Sequence, residues 1–117
     1  MVNPQKGEGS AEEQARAYLD ANCAHCHRPE GWASTYVELD LRYETALMDT
    51  GLCEFMLHYP EYEGMPRIAP GDPEGSGLLQ RFQREDAARM PPFGSSTVDS
   101  FGVEVISDWV RQMRACP

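Results

Sequence analysis

Five consecutive residues, Cys23-Ala24-His25-Cys26-His27, constrain this chain more than any other stretch. Two cysteines three positions apart, with a histidine directly after the second, form the spacing that covalent attachment of a c-type haem requires. Each thiol adds to one vinyl arm of the porphyrin, and one turn of backbone brings both sulfurs to neighbouring vinyl groups. His27 then falls beneath the iron, where a neutral imidazole is a suitable axial ligand. His25 occupies a spacer position. The motif therefore predicts one haem c per chain, held by Cys23 and Cys26, with His27 on the iron.

Two other chemistries use paired cysteines. A zinc site closes four ligands and shows two cysteine pairs, or one pair followed by paired histidines. Here one pair is accompanied by two isolated cysteines. A thioredoxin-like redox pair calls for a strand-helix-strand setting, whereas the residues from Glu12 to Asn22 read as helix with no hydrophobic strand before them.

At 117 residues the chain fits one domain with a modest core, which an embedded haem would enlarge. The net charge of −9 argues against nucleic acid, whose phosphates need clustered Lys and Arg. It favours redox partner proteins, or a fused catalytic domain, that dock through basic surfaces. No apolar run reaches the length of a membrane span, and the start Met1-Val2-Asn3-Pro4 lacks the apolar stretch of a signal peptide. Haem attachment of this kind belongs outside the cytoplasmic membrane. The expectation is a periplasmic or extracellular protein whose leader or upstream domain is absent from this chain.

With Cys23 and Cys26 assigned to haem, Cys53 and Cys116 remain. They can pair in one way, closing a long loop that stabilises the fold by about 4 kcal/mol in the chain-entropy account. An oxidising compartment favours the disulfide; two separate buried thiols are the competing reading.

Along the chain, residues 1–9 read as a disordered lead-in, and residues 10–117 as the domain. Ser10 with Glu13 is a capping-box pattern, so a helix is expected from about Ala11, with Ala15, Tyr18, Leu19 and Asn22 on its inward stripe. Trp32, Tyr36, Leu39 and Leu41 line a haem edge or fill core. The stretch from Glu44 to Tyr59 reads as one or two short helices interrupted at Gly51. Asp72 is expected to cap a helix opening at Pro73, with Leu78, Leu79 and Phe82 buried. Asp99 caps the last helix, Val98 and Val103 form a hydrophobic staple, and Val103, Ile106, Trp109, Val110 and Met113 supply its apolar face. Arg111 and Arg114 suit its negative end.

A thioether pairs with histidine in haem electron carriers and favours the ferrous state. Met90, in Arg89-Met90-Pro91-Pro92-Phe93-Gly94, is the first candidate because consecutive prolines stiffen the loop that carries it. Met65, between Gly64 and Pro66, is its rival, and His58 or an open site completes the alternatives. Met48, Met56 and Met113 fall on apolar helical stripes, where methionine usually fills core.

With these residues in hand, the chain resembles the monohaem class I c-type cytochromes. The resemblance rests on the helix leading into Cys23-Ala24-His25-Cys26-His27, the Met90-Pro91-Pro92 loop and a C-terminal helix bearing Trp109. It implies an all-α cytochrome c fold: crossing N- and C-terminal helices, with loops and short helices wrapped around one covalent haem. Ala15 and Leu19 would meet Ile106 and Trp109 there, Ala15 standing where the family usually has glycine. Asp40-Leu41-Arg42-Tyr43, Ala69-Pro70-Gly71-Asp72-Pro73 and Met90-Pro91-Pro92, with the extra cysteines, are also similar to a bacterial haem domain found at the end of larger secreted proteins, some of them like sugar dehydrogenases.

The implied function is electron transfer without substrate chemistry: no enzyme in itself, but a carrier or the relay domain of a larger oxidoreductase. His27 and Met90 are the implied axial ligands. Trp32, Arg42, Tyr43 and Arg67 are candidate contacts to the haem propionates, against the plainer reading of solvated or core side chains. A haem enzyme or gas sensor with a displaceable sixth ligand, and a non-haem module held by a structural metal or disulfides, are the alternatives.

Overall fold

The computed structural model describes residues 1–35, 37–53, 64–84, 90 and 98–117. Four α-helices occur among them, α1 (Ala11–Cys23), α2 (Leu47–Thr50), α3 (Gly77–Phe82) and α4 (Ser100–Gln112), with 3-10 turns at Pro4–Lys6 and Trp32–Thr35. No strand occurs among the described residues, so the architecture there is helical.

Helix α1 begins where local chemistry dictates. The Ser10 hydroxyl accepts the Glu13 N–H at 3.1 Å, and the Glu13 carboxylate accepts the Ser10 N–H at 3.0 Å. Two backbone donors that no preceding turn can satisfy are thereby paired. Ala15, Tyr18 and Leu19 are buried as the stripe predicts, and Ala17 and Arg16 are buried too. Asn22 is instead exposed, and its amide turns back to donate to the Tyr18 carbonyl at 2.9 Å. Helix α4 opens on Asp99, whose Oδ1 accepts the N–H groups of Phe101 and Gly102 at 3.1 and 3.3 Å. It buries Val105, Ile106, Trp109 and Val110, with Val103 and Met113 partly buried against the same core.

The long helices α1 and α4 pack on each other, and α3 packs on α4. A close approach is made at Gly102 on α4. A methyl group at Gly102 would overlap the Tyr18 Cζ and hydroxyl and lie 2.8 Å from the Phe82 Cζ. Tyr18 and Phe82 meet edge to face there, with centroids 5.9 Å apart. One glycine thus admits an aromatic from each of the other two helices.

Helix α3 starts four residues after the expected Pro73. The Asp72 carboxylate accepts the Gly75 N–H at 3.0 Å and closes a turn. Ser76 precedes the helix without capping it, because its hydroxyl accepts the Ala69 N–H and donates to the Asp72 carbonyl. The first amides of α3, Gly77 and Leu78, donate to the Pro66 and Arg67 carbonyls at 2.8 and 2.9 Å. A neighbouring segment therefore supplies the cap that the sequence pattern assigned to Asp72.

Residues 1–9 contain a turn capped by Asn3 and packed on α1. Two further readings change. Met48 is 66 % exposed and fills no core, since α2 is a single turn that ends at the left-handed Gly51. Arg114 lies beyond the end of α4, while Arg111 pairs with Asp108 at 2.7 Å. Met56, like Phe55 and Tyr59, lies outside the described residues. Cys53 and Cys116 are disulfide-bonded, with Cα atoms 5.8 Å apart, and this fastens the tail after α4 to the segment after α2.

Candidate functional site

Helix α1 delivers the cysteine-histidine motif. Cys23 is its last residue, and the backbone makes one more turn beyond it. The N–H groups of Cys26 and His27 both donate to the Cys23 carbonyl, at 3.2 and 2.9 Å. The following chain then folds straight back. Ala33 N–H donates to the Cys26 carbonyl at 3.1 Å and Leu41 N–H to the His27 carbonyl at 2.8 Å. At the bend Glu30 takes a left-handed conformation, φ 67°, which costs a residue with a Cβ about 1 kcal/mol or more. The motif is thus gripped on both sides, by a helix end and by two returning amides.

Cys23 and Cys26 are half-buried and not bonded to each other. Burial, and secondarily the neighbouring Cys26, pushes the Cys23 thiol up to about 12. A redox-active pair needs a thiol poised as thiolate by positive surroundings, and Cys23 is the opposite. Nor do these residues form a closed metal cage. Among the described residues, no group of three or more His, Cys, Asp or Glu side chains is gathered for a metal ion. A haem held through two thioether bonds, with an imidazole as ligand, would not need such convergence.

His27 is half-buried, and burial lowers its pKa, with the charges of Arg67, Arg81 and His25 acting in the same direction. The ring is therefore held neutral, the form that binds a metal. Its Nδ1 is buried and has no hydrogen-bond partner. Buried polar atoms in folded proteins are nearly always satisfied, so this ring has bonding capacity that the protein leaves unused. The residues present fit a covalent haem with a histidine ligand.

The candidate propionate contacts separate on inspection. Arg42 grips Asp40 through two bonds of 2.9 and 2.7 Å, and this guanidinium holds the Asp40 carboxyl at about 2. The Tyr43 backbone N–H donates to Asp20 on α1 at 2.9 Å. Trp32 is 59 % exposed, so it fills no core. Arg67 is 6 % exposed, and its Nη1 donates to the carbonyls of Glu38 and Gly51 at 3.1 and 2.8 Å. It clamps two chain segments together and bears on His27 at the same time.

Both candidate methionines flank α3. Met65 is half-buried and precedes Pro66, whose carbonyl caps the start of the helix. Met90 is half-buried, and its N–H donates to the Arg81 carbonyl at 3.1 Å, at the end of the helix. Tyr36, His58 and Pro91-Pro92 lie outside the described residues.

Two arginines escaped the sequence reading. The Arg81 charge adds to the lowering of the His27 pKa, and its carbonyl accepts the Met90 N–H. Its signal was a basic residue in the last turn of a short helix, which usually means only a favourable helix end. Arg16 is buried inside α1 and donates to the carbonyls of Arg42 and Thr45, pinning residues 42–45 to that helix. No helix among the described residues is long and apolar enough to cross a membrane. Comparison of the chain with family models, curated proteins and solved structures returns no match.

Proposed function

We propose that this chain is an electron-transfer domain carrying one haem c with His27 and Met90 as axial ligands, a class I cytochrome c in the sense of the resemblance above. One observation carries the reading. Cys23 and Cys26 stand unbridged, one turn apart at the end of α1, and are followed by a neutral His27 with an unused buried ring nitrogen. When bound, haem c supplies a one-electron couple at its iron.

The chain's own residues do the rest. Cys23 and Cys26 hold the group to the end of α1. Burial, aided by Arg67 and Arg81, keeps the His27 lone pair free of a proton. Met90 is anchored through its backbone to the last turn of α3. Two protein ligands on the iron exclude small molecules, which suits a carrier rather than an enzyme. The Cys53–Cys116 disulfide suits an oxidising compartment outside the cytoplasmic membrane. The charge of −9 suits a donor or acceptor that presents a basic surface.

The test is the spectrum of the ferric protein. A low-spin form with a sulfur-to-iron band is expected, lost in Met90→Ala and retained in Met65→Ala. A high-spin ferric wild type, or rapid and tight carbon monoxide binding by the reduced protein, would sink the reading in favour of an open iron site.

A further inference from the structure

We infer that Arg67 is a positioning residue for His27, holding in place the chain segment whose amide fixes the His27 backbone; this rests on the reading of His27 as an axial ligand. The N–H of the buried Leu41 donates to the His27 carbonyl at 2.8 Å. One residue earlier, the Asp40 N–H donates to the Thr50 carbonyl at 2.9 Å, so the chain at residues 40 and 41 lies between His27 and Thr50. Arg67 closes the same crossing. Its Nη1 donates to the carbonyls of Glu38 and Gly51 at 3.1 and 2.8 Å, and one nitrogen of a buried side chain thereby ties the stretch just before Leu41 to the residue just after Thr50. Arg67 is itself held, since its carbonyl accepts the Leu78 N–H of α3 at 2.9 Å. The support of His27 therefore runs from α3 through Arg67 to the segment that carries Leu41.

Gly51 carries the second half of the argument. It is left-handed, φ 87°, and a Cβ there would lie 2.7 Å from the Glu38 carbonyl oxygen and 3.2 Å from Arg67 Nη1. A residue without a side chain leaves the two carbonyls open to the guanidinium. The consequence follows from how a ligand is oriented: an imidazole keeps one direction only while the groups around it stay in place. Without Arg67 the two carbonyls lose a charged donor, and the loss of such a bond corresponds to about a tenfold rise in local opening. The Leu41 amide then leaves the His27 carbonyl more often. A side chain that merely fills core would lower stability without singling out Leu41.

The experiment uses the haem-loaded protein in its ferric form. Arg67→Met keeps a long apolar stem and removes the donor. Gly51→Ala disturbs the same clamp from the carbonyl side, and decides the matter if Arg67→Met does not fold. Ile106→Val, on α4 and fully buried, is the control for stability loss alone. Two readouts are taken: hydrogen exchange of the Leu41 amide, and the proton NMR shifts of the haem methyl groups, whose spread follows the orientation of the axial imidazole.

Arg67→Met and Gly51→Ala should each speed Leu41 exchange about tenfold and alter the spread of the methyl shifts, and the double variant should add little to either. Ile106→Val should change neither. Unchanged methyl shifts in Arg67→Met, or equal changes in Ile106→Val, would overturn the role given to Arg67. A wild-type ferric protein without the low-spin spectrum of an imidazole-ligated iron would overturn the reading of His27 itself, whatever the Leu41 amide does.

Discussion

Replacing Gly102 by alanine tests the helix crossing at its tightest point. In an exposed helix interior this substitution would stabilise by about 1 kcal/mol, because alanine is the better helix former. Here the added methyl overlaps the Tyr18 Cζ and hydroxyl and comes within 2.8 Å of the Phe82 Cζ, where carbon atoms prefer about 3.5–4.0 Å. Neither ring can swing clear. Tyr18 is 7 % exposed and bonded to Asp99, and Phe82 is packed edge-on against it. Overpacking of this kind costs about 1–3 kcal/mol, and displacing the tyrosine hydroxyl from a carboxylate adds about 1.5–3 kcal/mol. Set against the helix gain, the net loss is about 2 kcal/mol or more. Thermal unfolding of the haem-loaded protein should show a midpoint lower by about 8 °C, taking about 4 °C per kcal/mol for a domain of this size. An unchanged or raised midpoint would refute the close crossing at Gly102.

Three other perturbations probe the supports of the site. Removing both Cys53 and Cys116 opens a loop spanning 63 positions and should lower stability in urea by about 4 kcal/mol, with the visible spectrum of the reduced protein nearly unchanged. Arg67→Met leaves the Glu38 and Gly51 carbonyls without their buried donor and should cost about 3 kcal/mol in the same assay. Asp40 has a folded-state pKa of about 2 against an ordinary 3.8, so its ion-pair stabilisation is present above about pH 4 and is lost as pH falls through 2. Arg42 is partly exposed and solvent screens the pair, so only a small contribution should disappear over that range. Acid titration of Asp40→Asn should show a correspondingly flatter curve.

What the sequence made legible was what neighbouring residues decide among themselves. The Ser10–Glu13 box and the Asp99 cap are short-range reciprocal bonds, and both helix starts follow from them. The cysteine pair Cys53 and Cys116 followed from counting. Partners far along the chain were not legible. Asp72 looked like a cap because nothing local shows that Pro66 and Arg67 cover the first amides of α3. Ala15 drew attention as the small residue of the crossing, but Gly102 did not, because its close contact with Tyr18 and Phe82 depends on how distant helices are registered. Arg16 drew no notice and Arg67 was a candidate propionate contact, yet each is buried against carbonyls at least 16 positions away. In the candidate site, Cys23, Cys26 and His27 were legible as a motif. The bond from the Met90 N–H to the Arg81 carbonyl was not, because it joins Met90 to the end of a third element.

The most direct measurement is the mass of the denatured protein, made in an oxidising compartment that attaches haem, together with a haem stain of the same sample on a denaturing gel. The account predicts a mass increased by one covalently bound haem per chain, and its disappearance in the Cys23→Ala, Cys26→Ala double variant. An unmodified mass, with the two thiols free or bonded to each other, would contradict it.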